Sequence, residues 1–160
     1  MKFCSDSSFI VRLYDPAANS SETASIHDYL KNDNKVIAVS ELCRVEVLNV
    51  LLRKPGTGAA ELFEEDLNQG LRLRLEPENW HEAFRHAESL ARRFSQLLKP
   101  GGHDLMLVAA AVSGGGTWFL SFDRNSRQRP LAGAAGLRVW PPLDKDEKGL
   151  VRHAIQRGSR

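Results

Sequence analysis

Short apolar runs alternate with longer helical stretches along this chain, and that alternation leaves few folds open. Val36-Ile37-Ala38-Val39 is brief, β-branched and bounded by polar residues, the signature of a buried strand. Ser40 is placed to cap a helix running to about Lys54, where Pro55-Gly56 ends it. The same reading predicts a helix over 58–69 stopped by Gly70, and an alternating strand over 71–75 suited to a sheet edge. A long helix follows over 77–98, broken by Pro100-Gly101-Gly102. Beyond it come a helix from His103 to Val112, a strand over 117–121, a helix over 124–134 and a strand over 137–140. Upstream, a first strand ends at Asp6, residues from Ser7 read as a strand turning into a helix, and 19–31 read as a helix. Strands and helices in this order predict an α/β sandwich with a mainly parallel sheet.

At 160 residues the chain is sized for one domain. No apolar run approaches the roughly 18 residues of a membrane span. Asp6 stands where a signal peptide needs its apolar core, so the reading is a cytoplasmic protein with no membrane attachment. Cys4 and Cys43 lie in apolar stretches without zinc-ligand spacing and read as reduced core residues. Charge is unevenly placed. The whole chain is +2, yet residues 145–160 hold five basic residues against two acids, leaving −1 for the rest. The expected organisation is a folded domain over 1–142 and a basic tail over 143–160. Such a tail is either a solvated end or a hold on nucleic acid.

In parallel α/β folds the working site lies beyond the carboxyl ends of the strands. Asp6 and Asp123 each follow a strand and project from that edge. Asp104 opens the wholly apolar segment Leu105–Val112, which must be buried, and the helix dipole favours an anion at its start. Glu46 sits on a nearly all-apolar helix, sharing a strip about 60° wide with Asn49 and Arg53. A buried glutamate needs Arg53, a backbone donor or a cation as partner. Each acid also has a local role open to it: cap, helix-start charge, turn or ion pair. Together, several carboxylates in one pocket repel unless a cation joins them, and oxygen-only ligation suits Mg²⁺ or Mn²⁺.

Four stretches carry a resemblance. They are Asp6-Ser7-Ser8-Phe9-Ile10-Val11-Arg12-Leu13-Tyr14, Val39–Asn49 with Glu46 inside it, His103–Ala111 with Asp104, and Phe119–Gln128 with Asp123. In this order and on these elements, the sequence resembles PIN-domain nucleases, most closely the toxins of VapC type, over roughly residues 2–140. The resemblance implies a three-layer α/β/α sandwich and a Mg²⁺- or Mn²⁺-dependent endoribonuclease, the toxin of a type II toxin–antitoxin pair. It implies metal-holding and catalytic roles for Asp6, Glu46, Asp104 and Asp123, and help from Ser7 or Ser8. It further implies a cognate antitoxin and a homodimer. Two stretches differ from the family's pattern: Pro100-Gly101-Gly102-His103 is less apolar, and the segment after Pro142 has no counterpart.

RNA approaching a negative pocket needs a basic rim. Arg124, Arg127 and Arg129 follow Asp123 directly, with Arg12 and Arg44 as further candidates. Ser8 and Asn49 are placed to support the metal-holding acids. His103 is a neighbour of the site through Asp104, while the other histidines show no metal spacing. A rival reading is a metal-binding PIN-like module that binds nucleic acid or protein with little turnover. A phosphatase of the haloacid dehalogenase type is excluded, because Ser8 stands where its second acid belongs.

Overall fold

A computed structural model of the chain describes residues 1–18, Ser21, Ile26 and 35–158. The strands are β1 Phe3–Ser5, β2 Ile37–Ser40, β3 Leu73–Glu76, β4 Trp118–Leu120 and β5 Arg138–Trp140. The helices are α1 Ser7–Tyr14, α2 Glu41–Leu51, α3 Ala59–Gln69, α4 Trp80–Leu98, α5 Gly102–Ser113, α6 Gln128–Ala134 and α7 Lys145–Gly158. The sheet is parallel throughout, in the order β3-β2-β1-β4-β5. The predicted strand over 71–75 thus lies at an edge, and the predicted helix over 19–31 falls outside the described residues.

Side chains of each strand alternate between two apolar layers. Phe3, Ile37, Val39, Leu73 and Leu120 face α1, α2 and α3, packing on Phe9, Ile10, Cys43, Val47 and Phe63. Cys4, Ala38, Phe119 and Val139 face the other layer, formed with Leu90, Phe94, Val108, Ala109 and Leu131. Three layers result, as the resemblance implies. Cys4 and Cys43 are free and buried. Ser40 caps α2 by accepting from the Cys43 N–H at 3.1 Å, and Gly70 closes α3 in the left-handed conformation at φ 66°.

Two local readings shift. Residues from Ser7 enter α1 directly, because the Asp6 carboxylate caps it and no strand survives past Ser5. The helix expected over 124–134 starts only at Gln128. Asp123 Oδ1 instead accepts from the N–H groups of Asn125 and Ser126, at 2.9 and 3.1 Å, which turns the chain before a helix can begin.

The stretch read as a basic tail is α7, seated on α4 and α6 with Ala154 wholly buried. Asp144 and Glu147 cap it reciprocally: Asp144 Oδ1 accepts from the Glu147 N–H at 2.8 Å, and Glu147 Oε2 from the Asp144 N–H at 2.9 Å. Glu147 also receives Arg129, which is 0% exposed. Arg129 Nε donates to Glu147 Oε1 at 2.8 Å, and its terminal nitrogens donate to the carbonyls of Ser121, Pro141 and Pro142. Arg129 is therefore a core cross-tie, not part of a basic rim. It joins the ends of β4 and β5 to the start of α7.

Removing one member of a buried charge pair strands the other, typically at about 3–5 kcal/mol. Arg129→Met is expected to lower unfolding stability by about that amount, read from the urea midpoint. Adding Glu147→Gln should recover part of the loss, since it removes the stranded charge. A cost below about 1 kcal/mol for Arg129→Met would place the pair in solvent-like surroundings.

Candidate active site

The carboxyl ends of β1 and β4 lie side by side, and their register sets Ser5 against Leu120. Asp6 and Ser121 follow directly. Asp6 is 2% exposed. Its Oδ1 accepts from the Phe9 N–H at 3.0 Å and from the Ser8 hydroxyl at 2.8 Å, while Oδ2 accepts from the Ser121 hydroxyl at 2.6 Å. Ser8 Oγ in turn accepts from the Phe122 N–H at 3.0 Å, and Ser121 Oγ from the Asp123 N–H at 3.2 Å. Two serines thus tie the Asp6 carboxylate to the backbone N–H groups of Phe122 and Asp123. Burial pushes the Asp6 carboxyl up to about 6 against these hydrogen bonds, and the charge of Asp123 adds to the rise.

Glu46 does not meet Arg53. That guanidinium donates to Asn49 Oδ1 at 3.2 Å, on the exposed side of α2. Glu46 Oε1 instead contacts His103 Nε2 at 2.6 Å, which joins α2 to the start of α5. Glu46 Oε2 is buried with no hydrogen-bond partner among the described residues. Cys43 is buried on the same helix as Glu46. Burial raises its thiol pKa well above the usual value, and the charges of Asp6 and Glu46 raise it further. Asp104 is half-buried in the first turn of α5, where its Oδ2 accepts from the Gly101 N–H at 3.0 Å.

The acids therefore stand in two groups on one edge, Asp6 with Asp123 and Glu46 with His103, and Asp104 is turned back onto its own helix start. Among the described residues no three His, Cys, Asp or Glu side chains cluster closely enough to hold a metal ion as they stand. The donor chemistry nonetheless fits a hard cation. The set is carboxylate oxygen, Glu46 Oε2 lacks any partner, and Asp6 is held in a setting short of positive charge.

Of the basic candidates, Arg12 lies over the Phe122 ring at 4.1 Å, beside the network. Arg124 and Arg127 are exposed in the loop after Asp123, and Arg124 approaches Asp144 Oδ2 at 4.0 Å. Arg44 reaches Glu64 at 3.7 Å, away toward α3. Ser121 and Cys43 join the site without a motif of their own in the sequence. The signal for Ser121 was a hydroxyl at the end of an apolar strand, two residues before an acid.

A parallel α/β sandwich with acids on the carboxyl edge of β1 and β4 defines the class. The chain belongs to the PIN domain family, whose model matches residues 3–130. No curated protein matches it. Among solved structures it is similar to Mycobacterium tuberculosis VapC20, described as a sarcin–ricin loop cleaving toxin. That likeness has 18% identity and a TM-score of 0.61, over 85% of this chain and 96% of the other. FitAcB from Neisseria gonorrhoeae shares the fold at 13% identity and TM-score 0.58, over 88% and 97% of the two chains. VapBC2 from Rickettsia felis, bound to a DNA fragment from its promoter, does so at 12% and 0.56, over 78% and 90%.

Asp6 generates a pH prediction. Its folded pKa of about 6 exceeds the 3.8 of the unstrained group, so the native state binds the extra proton. Metal-free stability should accordingly rise as pH falls from 7, by about 2 kcal/mol from this group at about pH 4.5 and by about 3 kcal/mol once pH is below the unfolded value. Asp6→Asn keeps a good cap and lets its amide donate to Ser121, so at pH 7 it should be more stable than wild type without metal. The difference between the two proteins should vanish near pH 4. Urea unfolding of both in chelator across that range reads it, and parallel pH profiles would contradict the charge deficit at Asp6.

Proposed function

We propose that the chain is a Mg²⁺- or Mn²⁺-dependent endoribonuclease acting in the cytoplasm as the toxin of a type II toxin–antitoxin pair. The observation that carries it is the acidic edge of this PIN-family chain, with the Asp6 carboxylate linked through the Ser121 hydroxyl to the Asp123 backbone N–H and an orphaned Glu46 oxygen on the same edge. Asp6, Glu46, Asp104 and Asp123 would hold the cation. A bound Mg²⁺ or Mn²⁺ supplies charge neutralisation at a scissile phosphate and lowers the pKa of attacking water.

This chain's own residues do the rest. Ser8 and Ser121 fix the Asp6 carboxylate by donating to both of its oxygens, so its orientation needs no reorganisation when charge develops. His103 holds Glu46 Oε1 and leaves Oε2 for a cation. Arg12, Arg124 and Arg127 offer cations to the phosphates of an RNA strand reaching the edge, with Arg44 further along α2. Support for RNA as substrate comes from the description of VapC20 as a toxin that cleaves the sarcin–ricin loop. The VapBC2 structure supports a cognate antitoxin, and a homodimer accompanies the toxin reading.

One observation favours the second reading, a binding module with little turnover: the Asp104 carboxylate is engaged by the Gly101 N–H. Cleavage separates the two. Asp104→Asn preserves shape, and Mn²⁺-dependent cutting of single-stranded RNA should fall at least ~100-fold, the scale of a lost charge-stabilising group. Mn²⁺ should also raise the melting temperature of wild type, with about 2.7 kcal/mol of stabilisation at a hundred times its dissociation constant, and far less that of the variant. RNA bound by wild type without any Mn²⁺-dependent cutting would favour the module.

A further inference from the structure

Several surface cations of this chain are neutralised where they stand. Arg72 meets Asp66, Arg85 meets Glu82, Arg92 meets Glu88, Lys54 meets Asp15 and Lys2 meets Glu76. Others, such as Arg74, Lys99 and Arg127, are exposed without an ion pair among the described residues but stand on separate segments, whereas helix α7 gathers three on one face. Lys145, Lys148 and Arg152 are exposed and stand in no ion pair among the described residues. At 100° per residue the three fall within about 60° of one another and span about 10 Å along the axis. Glu147 and Ala154, the buried residues, point to the opposite side.

The acids of this segment are already engaged or turned aside. Glu147 is held by Arg129, and Asp144 by the Glu147 N–H and Arg124. Asp146 lies about 100° round the helix from Lys145. The stripe is thus a row of cations without intervening carboxylates. Its place is set by the buried Arg129–Glu147 tie, which anchors the start of α7 to the carbonyl of Ser121, the residue whose hydroxyl binds Asp6. The row accordingly begins beside the loop that carries Asp123 and runs away from it.

We propose that the outward face of α7 binds the backbone of single-stranded RNA, holding the stretch that flanks the scissile bond while the acidic edge takes the bond itself. The inference rests on the ribonuclease reading for its occupant. A polyanion is what the charges select, since unpaired exposed cations gain most from phosphate and from released counterions. Three cations in line, on a rigid helix leading from an acidic centre, suit a linear strand. They also counter the repulsion that the acidic edge exerts on the same RNA.

The test compares the full-length protein with its Lys145→Glu/Lys148→Glu/Arg152→Glu variant, and with the milder variant carrying Gln at those three positions. All three side chains are exposed, so both variants should melt as wild type does. Binding of a long unstructured RNA is followed by fluorescence anisotropy in chelator across a salt series. The Glu variant is expected to bind at least ~10-fold more weakly at low salt, and its slope of log affinity against log salt should be shallower by about 2, the value for three lost single-strand phosphate contacts. With Mn²⁺, KM for long RNA should rise while cleavage of a tetranucleotide, too short to reach α7, keeps its rate. Equal affinities and slopes for wild type and both variants would overturn the proposal. So would intact RNA binding in a Glu variant that has lost binding to a poly-glutamate peptide, which would assign the face to an acidic protein. RNA binding that depends on the stripe in a protein that never cuts RNA would sink the ribonuclease reading and leave the docking surface standing.

Discussion

A guanidinium sealed from solvent is the constraint on which the carboxyl edge of this domain depends. Arg129 has nowhere to put its charge except onto Glu147 and three backbone carbonyls, and those partners come from the ends of β4, β5 and the start of α7. An unpaired guanidinium at this depth would be strongly unfavourable, so α6, which carries Arg129, is held against β4, β5 and α7 in one arrangement. Ser121 is consequently held from two directions. Its carbonyl answers Arg129, and its hydroxyl donates to the Asp6 carboxylate and accepts from the Asp123 backbone N–H.

Around that frame the domain concentrates negative charge where it is least solvated. Asp6 is buried, Asp123 raises its proton affinity, and Glu46 leaves one oxygen without a partner. Hydrogen bonds from Ser8, Ser121 and Phe9 relieve part of the burden on Asp6 without removing it. A fold stabilised only for its own sake would replace such a group with an apolar one. Keeping it is understandable if a cation arrives to complete the charge balance, which is the logic of metal-assisted phosphodiester chemistry.

Positive charge follows the opposite rule. Several surface cations are met by nearby acids, whereas α7 presents Lys145, Lys148 and Arg152 together and unanswered among the described residues. The molecule is nearly neutral as a whole, so net charge says little about what it binds. The separation of an acidic edge from a basic helix face, joined by one buried ion pair, says more.

Much of the fold could be read from the chain itself. Short apolar runs bounded by polar residues marked β2 and β4, because strands buried in a parallel sheet need no polar alternation. Gly70, Pro55-Gly56 and Pro100-Gly101 marked helix ends, because their backbones do not continue a helix. Asp6, Asp104 and Asp123 stood at ends of elements, which assigned them to one edge, while Glu46 stood inside a helix and was marked by its need for a partner on an apolar surface. Tertiary structure decided what they touch. Glu46 lay within reach of Arg53 by helical spacing, yet His103, more than fifty positions away, took one oxygen, a pairing no local pattern encodes. Arg129 looked like the third member of an exposed basic run and proved to be core, because its partner Glu147 lies on a helix that composition described only as a basic tail. Periodicity and turn chemistry act over a few residues and are legible in sequence, whereas the partner of a charge depends on which distant elements packing brings together.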